Sequence, residues 1–212
     1  MPDWNSLFTE KANRWEDPYE DVVHLTDYGH LTAKSMILDL GCGAGRHLRF
    51  LESRKIQTVG MDLALNGLRA AKEVLTNNKL AVRLIQADMS APLPYPAGCF
   101  DCVISVHVVF HNTRKKIQNT IAEVKRVLKT GGTLLVTFNS TYSSRCGKGI
   151  KLEESTWLPD IGIDRGIPHH FSSLRDVVEI MDGFKVTNVH LKESIKDGAV
   201  SSHWVVSAQK DE

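Results

Sequence analysis

The sequence predicts an α/β protein built on one doubly wound sheet within a single domain. Its 212-residue length suits one domain with a sizeable core. Short apolar runs alternate with helical patterns, and a glycine-rich loop directly follows the first of these runs. Strands that alternate with helices form a parallel sheet covered on both faces. Because the crossovers are right-handed, such a sheet is doubly wound and binds its ligand outside the carboxyl ends of the strands.

Seven strands and four helices account for the alternation. Each predicted strand contains an apolar run, and each predicted helix carries apolar residues at helical spacing. The strands are predicted at 36–41, 58–63, 81–88, 100–110, 133–140, 184–192 and 203–210. The helices are predicted at 46–55, 65–78, 113–129 and 172–183, the last capped by Ser172 or Ser173. The final two strands are expected to pair antiparallel at one edge of the sheet.

Two segments lie outside this alternation. The first, 1–31, is predicted to be an N-terminal helical cap before a main domain at 32–212. It is rich in aromatic residues, among them Trp4, Phe8, Trp15 and Tyr19. The second is the long connection at 139–171, and connections of this length inside a compact domain are usually lids or binding segments. Both segments are therefore candidates to cover the ligand site.

Composition and charge narrow the classes of function. A net charge of +1 gives no overall attraction to nucleic acid or to acidic membranes. No apolar run approaches the roughly 20 residues of a membrane helix. Asp3 and Glu10 place acids where a signal peptide would be basic and then apolar. We therefore expect a cytoplasmic protein without a membrane partner. The cysteines are scattered, so Cys99 and Cys102 are interpreted as core packing, and no metal site is expected.

The glycine-rich loop differs from a dinucleotide-binding loop at two positions. Gly41, Gly43 and Gly45 have the spacing G-x-G-x-G, whereas the dinucleotide fingerprint would place its third glycine at the position of Arg46. Asp39 precedes the glycines, and its negative charge would repel a pyrophosphate and attract an ammonium group. The loop therefore suits a cationic, amino-bearing ligand, to which glycine allows a close approach of the backbone.

Two further acids end the second and third predicted strands. Asp62 lies about 20 residues after the loop, where an acid can accept both hydroxyls of a ribose. Asp88 can accept from an adenine amino group, although "DMSAP" is also a plausible turn start. Adenine, ribose and an α-amino acid together describe S-adenosylmethionine.

Four blocks of sequence resemble the class I S-adenosylmethionine-dependent methyltransferases, in the broad group that includes ubiquinone/menaquinone-type and other small-molecule enzymes. The blocks are "ILDLGCGAGRHLRFL", "VGMDLALNGLRAAKE", "LIQADMSAPLPYPAGCFDCVISVHVVFHN" and "IAEVKRVLKTGGTLLVTFNS". The resemblance implies a Rossmann-like seven-stranded sheet of order 3-2-1-4-5-7-6, with strand seven antiparallel. It also implies that 32–212 is a methyltransferase domain and that S-adenosylmethionine is the cofactor.

The resemblance also assigns roles to residues of the four blocks. Asp39 and the loop backbone are expected to hold the methionine part, Asp62 the ribose and Leu63 the adenine. Asp88 and Met89 are expected beside the adenine amino group, and Ser105 under the methionine part. The loop residues are Gly41, Cys42, Gly43 and Gly45.

Three histidines are candidates for a catalytic base, which is required only if the acceptor must lose a proton. The resemblance places His111 after strand four, where this group often has a histidine. His169 and His170 lie in "GIPHHFSSL", which closes the long connection. These two can instead form an exposed turn before the final helix, and His111 can be structural.

The leading hypothesis is methyl transfer to a small-molecule acceptor. An RNA, tRNA or protein methyltransferase is an alternative, but a nucleic-acid partner is disfavoured by "SVHVVF" after strand four and by the lack of a basic surplus. A non-catalytic cofactor-binding partner subunit is a second alternative. A dehydrogenase is disfavoured by Asp39 and Arg46. The acceptor and the oligomeric state are left open by the sequence.

Overall fold

The computed structural model describes residues 4–11, 16–27, 31–162, 164–196 and 198–211. Within these ranges the chain forms six helices and ten strands. The helices are α1 (Trp4–Lys11), α2 (Glu20–Asp27), α3 (Arg46–Ser53), α4 (Leu65–Asn77), α5 (Arg114–Val127) and α6 (Leu174–Ile180). The strands are β1 (Met36–Leu40), β2 (Gln57–Asp62), β3 (Leu84–Gln86), β4 (Phe100–Ser105), β5 (Leu128–Ser140), β6 (Ile150–Glu153), β7 (Thr156–Leu158), β8 (His169–Ser172), β9 (Phe184–Lys196) and β10 (Ala199–Lys210).

The central sheet has the predicted order. Strands β1 to β5 run parallel in the order β3-β2-β1-β4-β5. Strand β10 pairs antiparallel with β5, and β9 pairs antiparallel with β10 on its outer side. When β9 and β10 are counted as the sixth and seventh strands, the order is 3-2-1-4-5-7-6. The predicted α/β fold class and the antiparallel closing pair are therefore confirmed.

The connection at 139–171 contains three short strands that the sequence did not indicate. At the end of β5, Asn139 pairs in parallel with Phe171 of β8, and β7 and β6 follow antiparallel. The other edge of Asn139 faces His203 of β10. Strand β8 therefore lies on the same edge of β5 as β4, beyond the point where β4 ends.

Apolar layers cover both faces of the sheet. Because successive side chains along a strand point to opposite faces, Ile37 and Leu38 of β1 pack in different clusters. Leu38 shares its cluster with residues of α5 and α6, whereas Ile37 shares its cluster with Val22 and Leu25 of α2. Helix α2 is therefore part of the core, although the sequence assigns the whole of 1–31 to a cap.

Strand β4 is shorter than predicted. The apolar run predicts a strand that continues to Phe110, but β4 ends at Ser105. His107 has a φ of 61°, a left-handed conformation that residues with a side chain rarely adopt. Its N–H donates to Thr137 Oγ1 at 2.7 Å. The prediction for this stretch is wrong because Val109 and Phe110 are buried by a chain that turns rather than by an extended strand.

Helix α6 begins at a capping box. The Oγ of Ser173 accepts from the N–H of Asp176, and the N–H of Ser173 donates to the Asp176 carboxylate. Each partner satisfies a backbone donor of the first turn that has no partner within the helix. Of the two predicted caps, Ser173 is therefore the one used.

The core assignment predicts the effect of truncating Leu38. Leu38→Ala is expected to lower the free energy of unfolding by about 2–5 kcal/mol, because the fully buried side chain leaves a cavity. Ile195→Ala is the control, since Ile195 is 76% exposed, and should change it by less than about 0.5 kcal/mol. Urea denaturation followed by circular dichroism measures both variants. Equal losses in the two variants would contradict the core assignment.

Candidate active site

The loop between β1 and α3 uses its backbone donors internally. The N–H groups of Gly41 and Cys42 donate to the carbonyl of Met61, and the N–H of Gly45 donates to the carbonyl of Cys42. The N–H of Gly43 donates to Asp62 Oδ2 at 2.8 Å. A phosphate at such a loop is normally bound by free N–H groups. With these four donors occupied, the loop is better suited to a cation than to a phosphate.

The three loop glycines are required by conformation and by packing. Gly41, Gly43 and Gly45 have φ values of 80°, 51° and 82°, in the left-handed region that favours glycine. A Cβ on Gly41 would overlap Val108, and a Cβ on Gly43 would lie 2.9 Å from the ring of Phe8. Protein side chains thus occupy the space above these glycines in which the sequence predicts a ligand.

Asp39 is a buried acid with unused bonding capacity. Its side chain lies on β1, and its Oδ2 has no hydrogen-bond partner among the described residues. His47 Nδ1 lies 3.6 Å from this oxygen. The Nε2 of His47 accepts from the N–H of Tyr19 at 3.3 Å, so the proton of a neutral ring lies on Nδ1 and faces Asp39. A buried carboxylate with a free oxygen can bind an ammonium group.

Asp62 links the glycine loop to the end of β2. Its Oδ2 accepts from Gly43, and its Oδ1 accepts from the N–H of Ala64 at 2.7 Å. Burial raises the pKa of Asp62, and the N–H groups of Ala64 and Gly43 oppose that shift. A carboxylate has about four acceptor sites, so two bonds to the backbone leave capacity for two hydroxyl groups.

The remaining expected cofactor residues have different surroundings. Leu63 is 45% exposed, so it presents apolar surface next to Asp62. Asp88 Oδ1 accepts from both the N–H and the Oγ of Ser90, each at 2.8 Å, which is the turn considered as the alternative role. Met89 packs against the core. The Oγ of Ser105 donates to the carbonyl of Leu40 at 2.9 Å, so this hydroxyl joins two strands.

A cluster of rings lies beyond the end of β4. We call it the ring cluster; its members are Trp4, Tyr19, His107, Phe110, His111, His169 and His203. The ring centroids of His107 and His203 are 4.4 Å apart, and those of His111 and His169 are 4.5 Å apart. Residues of α1, of the segment before α2, of the turn after β4, of β8 and of β10 therefore meet here.

Three histidines of the ring cluster are uncharged near neutral pH. Burial lowers the pKa of His107 and of His111 well below the ordinary value, and neighbouring positive groups add to the shift. Burial lowers the pKa of His203 to about 4. The Nδ1 of His111 is buried and has no hydrogen-bond partner within the described ranges. It is therefore a free ring nitrogen in a largely apolar setting.

The two adjacent histidines of β8 have separate surroundings. His169 contacts His111, and its Nε2 lies 3.1 Å from Asp164 Oδ2. His170 Nδ1 is 2.8 Å from the Oγ1 of Thr156, and burial lowers the pKa of His170. The structure therefore brings His169 to His111 and directs His170 toward Thr156.

Helix α1 spans both parts of the site. The ring of Phe8 lies over Gly43 and over Gly67 of α4, where an added Cβ would be 3.1 Å away. The N–H of Asn66 donates to Asn5 Oδ1 at 3.1 Å, and the ring of Trp4 lies 4.9 Å from that of His111. Trp15, the other aromatic residue expected to cover the site, lies outside the described residues.

The described part of the chain contains neither a metal site nor a membrane-spanning helix. No group of histidine, cysteine or acidic residues there has the arrangement of a metal site. Cys99 and Cys102 are free thiols, and burial raises the pKa of Cys102 to about 12. None of the described helices is long and apolar enough to cross a bilayer.

Comparison with known proteins identifies a family for the central part of the chain. Residues 38–136 match the family of the methyltransferase domain. An uncharacterized chloroplastic methyltransferase of Arabidopsis thaliana is 30% identical over 150 residues, which are 66% of this chain and 40% of that protein. A tRNA U34 carboxymethyltransferase of Mannheimia succiniciproducens is 33% identical over 138 residues, covering 63% of this chain and 38% of that protein. The chain thus spans less than half the length of these two relatives.

Solved structures show the same fold. A SAM-dependent methyltransferase from Methanosarcina mazei has a TM-score of 0.77 at 21% identity, covering 92% of this chain and 99% of that chain. An S-adenosylmethionine-dependent methyltransferase from Clostridium acetobutylicum has a TM-score of 0.72 at 15% identity, covering 98% of both chains.

The position of Phe8 predicts a specific response to Gly67→Ala. The new methyl group should displace the ring of Phe8 and loosen α1, while alanine is a better helix former than glycine within α4. Hydrogen exchange should therefore increase in α1 but not in α4. Phe8→Ala should loosen α1 more, because it removes the whole ring, and the double variant should be no looser than Phe8→Ala alone. Unchanged exchange of α1 in both single variants would rule out this packing.

Proposed function

We propose that this chain, which belongs to the class I S-adenosylmethionine-dependent methyltransferases, transfers a methyl group from S-adenosylmethionine to a small-molecule acceptor. The observation that carries the proposal is the pairing of two unlike regions at one edge of the sheet. One is the acidic, glycine-rich loop around Asp39 and Asp62, and the other is the ring cluster, in which three of the histidines are uncharged. The first suits the cofactor and the second suits an acceptor without strong charge.

The residues around the loop fit the cofactor. The free Oδ2 of Asp39 would accept from its ammonium group, and the remaining capacity of Asp62 would accept from the ribose hydroxyls. Leu63 would pack on the adenine, and Asp88 would face its amino group, with Met89 beside it. When bound, S-adenosylmethionine supplies an electrophilic methyl group on a positively charged sulfur.

The charges near the ring cluster favour a small molecule over RNA. Asp164 is paired internally with Arg145 and His169, and three of the histidines are uncharged. An RNA substrate needs several free cations to neutralise its phosphates. The name of the tRNA-modifying relative makes RNA the second candidate, and the chain's net charge of +1 argues against it.

His111 is the best placed of the three candidate bases. Its unpaired, uncharged Nδ1 can take a proton within the ring cluster, whereas His169 already contacts Asp164. His170 Nε2 is also unpaired, but His170 faces Thr156 and is not part of the ring cluster. In the proposed step the acceptor atom forms a bond to the methyl carbon, the carbon–sulfur bond breaks with its electron pair left on sulfur, and the acceptor proton passes to His111 Nδ1. The surrounding rings and α1 would align the reactants and exclude water.

The ribose role predicts that Asp62→Ala weakens S-adenosylmethionine binding at least tenfold, because hydrogen bonds to a charged group contribute about 1.5–3 kcal/mol. Isothermal titration calorimetry measures the affinity, and circular dichroism checks that the loop variant is folded. Asp182→Ala, at an exposed acid after α6, is the matched control. An unchanged affinity in folded Asp62→Ala would refute the ribose role, and binding of NAD but not of S-adenosylmethionine would refute the cofactor assignment.

The acceptor class is tested by a transfer screen. The chain is incubated with methyl-tritiated S-adenosylmethionine and separate metabolite, RNA and protein fractions. Label is expected in the metabolite fraction and should be lost with Asp39→Asn, because that change removes the proposed charge for the cofactor. Label only in RNA would establish the second candidate instead of the small-molecule proposal.

The base role predicts that His111→Gln lowers turnover of an acceptor that must lose a proton by about 10²–10⁴-fold. The affinity for the cofactor should stay within about twofold. Because the pKa of His111 lies well below its ordinary value near 6.5, wild-type activity should not fall between pH 8 and pH 6.5 through protonation of this group. A variant as active as wild type would show that alignment alone, or another group, suffices.

A further inference from the structure

His169 has an acceptor at each of its two ring nitrogens. The Nδ1 donates to the carbonyl oxygen of Ile167 at 3.0 Å, and the Nε2 lies 3.1 Å from Asp164 Oδ2. A carbonyl oxygen cannot donate a hydrogen bond, and neither can an ionised carboxylate. Both nitrogens must therefore carry a proton for both contacts to be satisfied. The geometry describes a positively charged imidazolium ring in a buried position.

Asp164 is held in its ionised form by two partners. Arg145 Nη2 donates to Asp164 Oδ1 at 2.8 Å and also lies 2.8 Å from Oδ2, the oxygen that His169 approaches. Burial alone would raise the pKa of Asp164, but the hydrogen bond from His169 and the charge of Arg145 outweigh it and lower that pKa below its ordinary value. A carboxylate of this kind stabilises a neighbouring imidazolium, because a buried charge requires a partner.

The imidazolium lies directly against the proposed base. The rings of His169 and His111 are 4.5 Å apart and almost perpendicular, at 82°. The other charged or titratable groups that act on His111 are Asp164, His107 and Arg145. After burial, the positive charge of His169 is the largest cause that lowers the pKa of His111. The neighbouring cation therefore disfavours a second positive charge on His111.

We propose that Asp164 and the Ile167 carbonyl hold His169 as a buried imidazolium, and that His169 acts as a positioning residue that fixes the ring of His111 and keeps it uncharged. The inference rests on the proposed function, in which His111 takes the acceptor proton. His169 does not itself exchange a proton with the acceptor, because both of its nitrogens are occupied. Two of the three candidate histidines, His111 and His169, thus have different roles.

The arrangement also links the long connection to the base. Ile167 and Asp164 belong to the connection, and His169 is brought over the end of β4 by the pairing of β8 with β5. The uncharged state of His111 therefore depends on the packing of this segment against the end of β5. A segment that is not docked would leave His111 without its cationic neighbour.

The protonation of His169 is tested by nitrogen-15 NMR of histidine-labelled chain without cofactor or acceptor. His169→Gln assigns the ring by the signals that it removes. At neutral pH the wild-type ring is expected to show two protonated nitrogens, and Asp164→Asn should convert it to a neutral ring. Asp160→Asn, at an exposed acid of the same segment, is the matched control and should leave the signals unchanged. A neutral His169 ring in the wild type would overturn the inference even if methyl transfer is observed.

The effect on His111 is tested by the pH dependence of kcat/KM. Asp164→Asn should move the acid limb to higher pH, because the charge of His169 acts on His111 more strongly than that of Asp164 does, and Asp160→Asn should not move it. A lower kcat/KM with an unmoved acid limb would indicate a merely structural role and overturn the positioning proposal. If no acceptor is methylated, the small-molecule proposal fails. The inference is then tested by the pH at which the NMR signals of the His111 ring show protonation. Asp164→Asn should raise that pH and Asp160→Asn should not, and an unchanged pH in Asp164→Asn would overturn the inference.

Discussion

The buried carboxylate of Asp39 is the constraint on which the site depends. It lies on the central strand β1, between β2 and β4, and is 1% exposed. A buried charge costs free energy unless it is paired and hydrogen-bonded. His47 approaches one oxygen only to 3.6 Å, and that oxygen has no hydrogen-bond partner among the described residues. The structure thus contains an incomplete ion pair next to a loop that offers no free N–H groups at its glycines, and a cationic ligand would complete it.

The rest of the site separates charge from the place of reaction. The acids lie on the first two strands, whereas the histidines beyond β4 are buried among rings and are uncharged, apart from His169. The ring cluster would keep water away from the transferred group. Helix α1 contacts both regions through Phe8 and Trp4. One helix therefore covers both the glycine-rich loop and the proposed base.

Local pattern predicted the alternation of strands and helices, the antiparallel closing pair and a cap at Ser172 or Ser173, whereas the sheet order was implied by the resemblance to the class I methyltransferases. Local pattern could not predict features set by distant contacts. The apolar run after Ser105 indicated a strand, but His107 turns the chain because its N–H bonds to Thr137, thirty positions away. The short strands β6 to β8 lack a long apolar run, and β8 forms only against the end of β5. The sequence did not indicate roles for His47 and Asp164. His47 approaches Asp39 and Asp164 approaches His169 in the folded chain, and no sequence motif links the members of either pair.

The measurement that tests the central claim most directly is the affinity of the chain for S-adenosylhomocysteine compared with its analogue lacking the α-amino group. Both ligands lack the charged sulfur, so calorimetry isolates the ammonium group. The account predicts that the analogue binds at least tenfold more weakly, since hydrogen bonds to charged groups contribute about 1.5–3 kcal/mol, and that Asp39→Asn removes most of this difference. Equal affinities of the two ligands for the wild-type chain would contradict it.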